Sequence, residues 1–195
     1  MSVTAPTTVS VKPIVALVGL CGTGKSEACA YLESLGYRII YFGGTVVGEV
    51  QRRGMAVTPD NEKTVREELR ATHGMAAMAH INLPKVQALL ADGQCVAIDG
   101  LYSMGELDVL RSALGANLKL LAIHAPKALR YERLGKRPIR AMTRDQVDAR
   151  DTFEVCNLDK AGPIALADAH VVNDGDRADL LNKLAAVYQG LSAAI

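Results

Sequence analysis

Residues Gly19-Leu20-Cys21-Gly22-Thr23-Gly24-Lys25-Ser26 satisfy every fixed position of the pattern G-x-x-x-x-G-K-S/T. Glycines at this spacing let backbone N–H groups converge on phosphate oxygens. The helix that follows adds a partial positive charge at its N-terminus. The pattern assigns Gly19, Gly22, Thr23, Gly24, Lys25 and Ser26 to a cradle for the phosphates of a nucleotide. Lys25 would reach the β- and γ-phosphates as a catalytic cation, and Ser26 would hold Mg²⁺. The plainer reading is a tight turn between strand and helix. It is opposed by the agreement of strand, motif and helix in one place. Cys21, at a variable position of the loop, reads as a small filler.

Such a loop needs a carboxylate at the end of a neighbouring strand, to hold the metal or to take the acceptor's proton. Only Val96-Ala97-Ile98-Asp99-Gly100 ends an apolar run in an acid, so Asp99 is the expected catalytic and metal-binding carboxylate. Downstream, Arg130, Arg133, Arg137, Arg140, Arg144 and Arg150 crowd together, with Lys127 and Lys136 between or beside them. Arginines that close over a transferred phosphoryl group stabilise its spreading charge and exclude water. The alternative is a solvated face paired with Glu132, Asp145, Asp148 and Asp151. Asn173-Asp174-Gly175 follows the last apolar run, where Asn173 would either contact the nucleotide base or open a turn. His73, His80, His124 and His170 have no metal-ligand arrangement.

The elements that must position these groups alternate. Short apolar runs at 13–18, 37–42, 95–99, 118–124 and 169–173 predict strands buried in a sheet. Helical periodicity fills 25–35, 105–114, 127–135, 143–157, 163–168 and 177–192. A longer helical region, 45–91, is interrupted at 54–60 and at Pro84, with Val65, Leu69, Met75, Met78 and Ile81 near one face. Leu180, Leu181, Leu184, Val187, Tyr188 and Leu191 make one stripe of the last helix. Strands alternating with helices predict an α/β fold, a parallel sheet covered on both faces by right-handed crossovers. Ligands of such sheets bind beyond the carboxyl ends of the strands.

Composition narrows the function classes. The 195 residues carry 22 basic and 21 acidic side chains, which gives no global pull toward nucleic acid or acidic membranes. Aromatics make up 4% and there is no Trp, too few for base-stacking platforms. No apolar run reaches membrane-spanning length, and the first residues lack the basic and apolar regions of a secretory signal. The four cysteines show no metal spacing and read as reduced thiols. The expectation is a cytoplasmic protein that meets a small molecule, with no nucleic-acid and no membrane partner. Residues 1–12 read as a flexible arm and 13–195 as one domain.

In their order, these motifs resemble the nucleoside-monophosphate-kinase-like P-loop kinases, and most nearly a group labelled dephospho-CoA-kinase-like or AAA-family ATPases. The resemblance spans about residues 13–190. It is carried by the phosphate loop, Glu49-Val50-Gln51-Arg52-Arg53-Gly54, Glu68-Leu69-Arg70, Ile98-Asp99-Gly100, Arg130-Tyr131-Glu132-Arg133, Arg150-Asp151, and Ala167-Asp168-Ala169 with Val172-Asn173. It implies a three-layer sandwich with strand order 2-3-1-4-5, an acceptor-binding helical segment at about 45–92, and a lid at about 127–157. It also implies ATP and Mg²⁺ as cofactors and Arg133 and Arg137 as lid residues. Two acceptor-side anchors of that group are missing: Gly43-Gly44 stands where an acid is expected, and Val47 where an arginine is. Leu101-Tyr102-Ser103 also replaces an arginine after Asp-Gly. The implied activity is γ-phosphoryl transfer to a small acceptor, a nucleotide or a CoA precursor such as dephospho-CoA. The alternative is an ATP-binding regulatory module with a degenerate acceptor site, favoured by Gly44, Val47 and Tyr102.

Overall fold

A run of apolar residues with no polar break can lie only where both faces are covered, and β1 (Ile14–Val18) is buried at all five positions. It forms the centre of a five-stranded, all-parallel sheet with β2 (Tyr37–Tyr41), β3 (Cys95–Asp99), β4 (Leu118–His124) and β5 (Ala169–Val172), in the order β2-β3-β1-β4-β5. Register places Ala16 between Ile98 of β3 and Leu120 of β4. This is the three-layer P-loop kinase fold that the resemblance implies. The computed structural model describes residues 12–193, so the expected arm at 1–12 lies outside the described residues except for Lys12.

Alternate side chains of β1 feed two cores. Ile14, Ala16 and Val18 pack with Ile40, Ile98 and Leu120 beneath α2 (Gly43–Arg52), α3 (Pro59–His73), α4 (Ala77–Ala91) and α5 (Met104–Leu114). Val15 and Leu17 pack with Leu121, Ile123 and Val171 beneath α1 (Lys25–Ser34) and α9 (Arg177–Ala193). The α9 stripe read from the sequence supplies Leu180, Leu184 and Leu191 to this second core. Between β4 and β5 lie α6 (Lys127–Gly135), α7 (Arg144–Cys156) and α8 (Ala161–Ala165).

Two expectations for the helical region need correction. Pro84 does not interrupt it, because α4 runs through to Ala91. The proline and His80, whose carbonyl loses its partner, both lie on the exposed side of α4, while Met78, Asn82 and Val86 are buried. The break falls instead at Gly74, whose φ of 73° is open to glycine and turns the chain out of α3. Met75 and Ile81, expected on the buried face, are 42% and 38% exposed, because this break puts them out of phase with Val65 and Leu69. Thr58 caps the start of α3, its hydroxyl accepting from Asn61 N at 3.2 Å. Among the described residues no helix is long and apolar enough to cross a membrane, and all four cysteines are free thiols.

The burial pattern sets a scale for mutation. Leu120 is fully buried in the first core, so Leu120→Ala should cost about 2–5 kcal/mol in urea unfolding. Thr58→Ala, which removes one cap at an exposed helix start, should cost only about 1 kcal/mol.

Candidate active site

The phosphate loop leaves β1 at Gly19 and enters α1 at Lys25. Gly19, Gly22 and Gly24 take φ values of 141°, 81° and 107°, which side chains rarely adopt. Close approach demands glycine as well. A Cβ on Gly19 would lie 2.3 Å from Ile123 O, and one on Gly24 would lie 2.3 Å from Asn173 Nδ2.

Side chains take up the loop's carbonyls. Lys25 Nζ donates to Gly19 O at 2.8 Å and Leu20 O at 3.0 Å, and Thr23 Oγ1 donates to Leu20 O at 3.0 Å. Arg130 Nε donates to Cys21 O at 2.8 Å, and Asn173 Nδ2 donates to Thr23 O at 2.9 Å. With its carbonyls engaged in this way, the loop can turn N–H groups outward, which suits an anion. Burial, followed by the neighbouring Lys160 cation, lowers the Lys25 pKa to about 8.

Asp99 ends β3 beside this loop, held in register with Leu17 of β1. Its Oδ1 is buried without a hydrogen-bond partner, and burial raises its pKa against the opposing pull of Lys25 and Lys160. Cys29 lies against the same carboxyl. Burial, then the charge of Asp99, pushes its thiol up to about 12 and keeps it neutral.

Lys25, Ser26, Asp99, Arg133 and Arg137 all line one cavity of about 1170 Å³. Gly22 and Gly24 also face it, whereas Thr23 is buried beneath the loop. Asn173 is 5% exposed, and its side chain is engaged with Thr23 O and with Arg133 Nη2 at 3.2 Å. Arg133 Nη1 also donates to Asn173 O at 3.2 Å, so the two residues clasp α6 to the end of β5. Arg137 is exposed, with Nη1 3.7 Å from Cys21 Sγ.

The arginine segment therefore divides by role. Arg130 is 4% exposed and donates at 2.6 Å to both oxygens of Asp151, which ties α6 to α7. Arg140 pairs with Glu62 of α3, and Arg150 Nε donates to Glu154 at 2.9 Å. Lys127 and Lys136 pair at the surface with Asp148 and Glu132, as a solvated face would. His124, at its strand end, shares a 3.0 Å contact with His170.

Several cavity residues are not marked as site residues by any sequence pattern. Lys160, between α7 and α8, is 2% exposed. Its Nζ lies 2.6 Å from Glu154 Oε2 and 4.1 Å from the centre of the Tyr102 ring. No spacing rule finds a lone lysine in a short connection. Arg66 and Arg70 also line the cavity, four residues apart on α3, a spacing that puts them on one face. Of the glycines at 43 and 44, only the first is crowded. A Cβ on Gly43 would lie 2.4 Å from the Tyr41 ring, which occupies the space of a longer side chain.

Residues 15–154 match the AAA domain family. A UPF0200 protein of Thermococcus kodakarensis is 35% identical over 167 residues, which covers 84% of this chain and 90% of that protein. Among solved structures, a gluconokinase from Sinorhizobium meliloti 1021 aligns at a TM-score of 0.59 with 17% identity, covering 94% of this chain and 95% of that one. A dephospho-CoA kinase from Campylobacter jejuni aligns at 0.53 with 16% identity, covering 94% and 99%. At these identities the structural likeness is one of fold, that of the P-loop small-molecule kinases. By sequence, the chain belongs to the AAA domain family and to the UPF0200 proteins.

Proposed function

We propose that this protein transfers the γ-phosphoryl group of ATP, with Mg²⁺, to a small acceptor, a nucleotide or a CoA precursor such as dephospho-CoA being the leading class. The observation that carries this reading is the convergence of Lys25, Asp99 and the lid arginines on one cavity of about 1170 Å³. That exceeds the roughly 300–1,000 Å³ typical of one small-molecule site and supports two ligands side by side. A regulatory ATP-binding module would not need the added volume.

The donor set suits Mg²⁺: the Ser26 hydroxyl and the Asp99 carboxylate are hard oxygen ligands on one cavity, and Asp99 has a buried oxygen without a partner. When bound, the ion would neutralise phosphate charge. Lys25 supplies the cation beside the transferred group, and its backbone tether to Gly19 and Leu20 fixes the ammonium before the substrate arrives. Arg137, free of any carboxylate partner among the described residues, would close over that group. Arg133 is committed to Asn173, so its part is first to hold the lid helix against the loop.

Protonated Lys25 is the form that phosphate oxygens hold. The free protein loses this proton near pH 8 and the nucleotide complex loses it higher. ATP affinity should therefore be flat below about pH 8 and fall about tenfold per pH unit above it. Titration calorimetry across pH 7–10 measures this, and Lys25→Met should remove both the affinity and the pH dependence. Asp99→Asn keeps the shape and removes the charge. With an acceptor that stimulates ATP consumption, kcat should fall on the order of 10²-fold while nucleotide affinity changes only several-fold. Full activity in that variant would return Asp99 to a turn role.

A further inference from the structure

The charge on the cavity wall is unbalanced. Eight basic side chains line it against four acidic ones, a surplus of four. A magnesium-bound triphosphate brings about two negative charges, so a second anion is called for.

Pairing shows where that anion belongs. Arg140 is held by Glu62, and Arg150 and Lys160 by Glu154. Arg133 is held by Asn173. Arg137 has no carboxylate partner among the described residues either, but it lies against the phosphate loop at Cys21. Arg66 and Arg70 stand instead on α3: among the described residues no carboxylate lies within ion-pair distance of either, and Arg70 Nε is buried with no hydrogen-bond partner. Burial lowers the proton affinity of Arg70, and the acidic group with most influence on it is Glu106. Glu106 is itself fully buried, its Oε2 is taken by Tyr102 N at 2.7 Å, and burial raises its pKa to about 7. It is therefore a poor counter-ion. A half-buried guanidinium without a partner is costly in a folded protein, and an anionic ligand is the group that removes the cost.

The same cavity exposes apolar surface. Tyr41 at the end of β2, Phe153 of α7 and Ile139 of the connection between α6 and α7 are 52%, 44% and 76% exposed on its wall. Resting on the two-substrate reading above, we infer that Arg66 and Arg70 form the acceptor anchor. They would bind the phosphate or carboxylate of an acceptor whose apolar or aromatic body lies against Tyr41 and Phe153. The anchor on α3 would take the place of the anchors that the chain lacks at positions 44 and 47.

The experiment fills the phosphate loop first, with a non-hydrolysable ATP analogue and Mg²⁺, and then titrates three probes by calorimetry: inorganic phosphate, phenyl phosphate and phenylacetate. Failure of the analogue to bind would defeat the phosphate-loop reading itself. If the analogue binds, at least one aromatic anion should still bind saturably, and more tightly than inorganic phosphate. Which of the two binds identifies phosphate or carboxylate as the anchored group. Arg66→Met and Arg70→Met should each weaken that binding at least tenfold and leave analogue affinity within about twofold. Arg70→Lys, which keeps charge without the planar fork, should fall between. Arg70→Met should melt no lower than the wild type, whereas a structural arginine would lower the melting temperature. Absence of anion binding with the loop filled, or unchanged binding in both methionine variants, overturns the inference, and equal binding of phenyl phosphate and inorganic phosphate removes the apolar part of it.

Discussion

A loop that offers its N–H groups to an anion must dispose of its carbonyls elsewhere, and this constraint organises the whole site. Lys25, Thr23, Arg130 and Asn173 take the oxygens of Gly19, Leu20, Cys21 and Thr23, and the first turn of α1 takes Gly24 O. These partners come from the loop itself, from α6 and from the end of β5. The cradle is therefore not a local motif that could be moved to another strand–helix junction. It exists because the chain beyond β4 returns to close it from behind.

Closing it requires buried charge. Arg130 and Asp151 form a nearly buried pair, and Lys160, Arg150 and Glu154 form a second group in which lysine and glutamate are both buried. Pairs of this kind add little net stability, because desolvation offsets most of the attraction. What they do is fix geometry: the first locks α6 to α7 and to Cys21 O, and the second holds the Lys160 ammonium over Tyr102. The arginine-rich segment is thus neither a plain solvated face nor a set of equivalent catalytic cations. Its inner members build the wall, and Arg137 is left to face the cavity.

Much of this was legible in the chain. The continuous apolar run of β1, the glycine spacing and the Asp-Gly at the end of β3 are local patterns with local causes, and the structure brings Lys25, Ser26 and Asp99 together as expected. The strand order followed from the family likeness rather than from the residues. Pro84 misled because sequence shows the lost N–H but not which side of the helix faces water. Lys160 and Arg66 gave no signal, and Arg70 stood out only within Glu68-Leu69-Arg70, for a different reason. Periodicity marks what is apolar, whereas a charge inside a cavity is defined by elements far away in the chain. Asn173 shows the same limit: its position at a strand end was readable, but its engagement with Thr23 and Arg133 was not.

The unbalanced arginines bear on the choice between an enzyme and a nucleotide-binding module. A module needs the phosphate cradle and nothing further along the cavity. Its stability would gain if Arg66 and Arg70 were replaced by apolar residues that pack against Met78 and Val46, which line the same wall. The chain instead keeps two guanidinium groups there without carboxylate partners, in a cavity that also exposes Tyr41 and Phe153. Locally unfavourable arrangements that the fold holds in place gather at working sites, where a ligand completes them. Tyr41 fits the same account. Its ring leaves little room for a side chain at position 43, and α3 presents two cations, Arg66 and Arg70, to the same cavity. On the reading proposed above, α3 supplies the acceptor anchor that positions 44 and 47 lack.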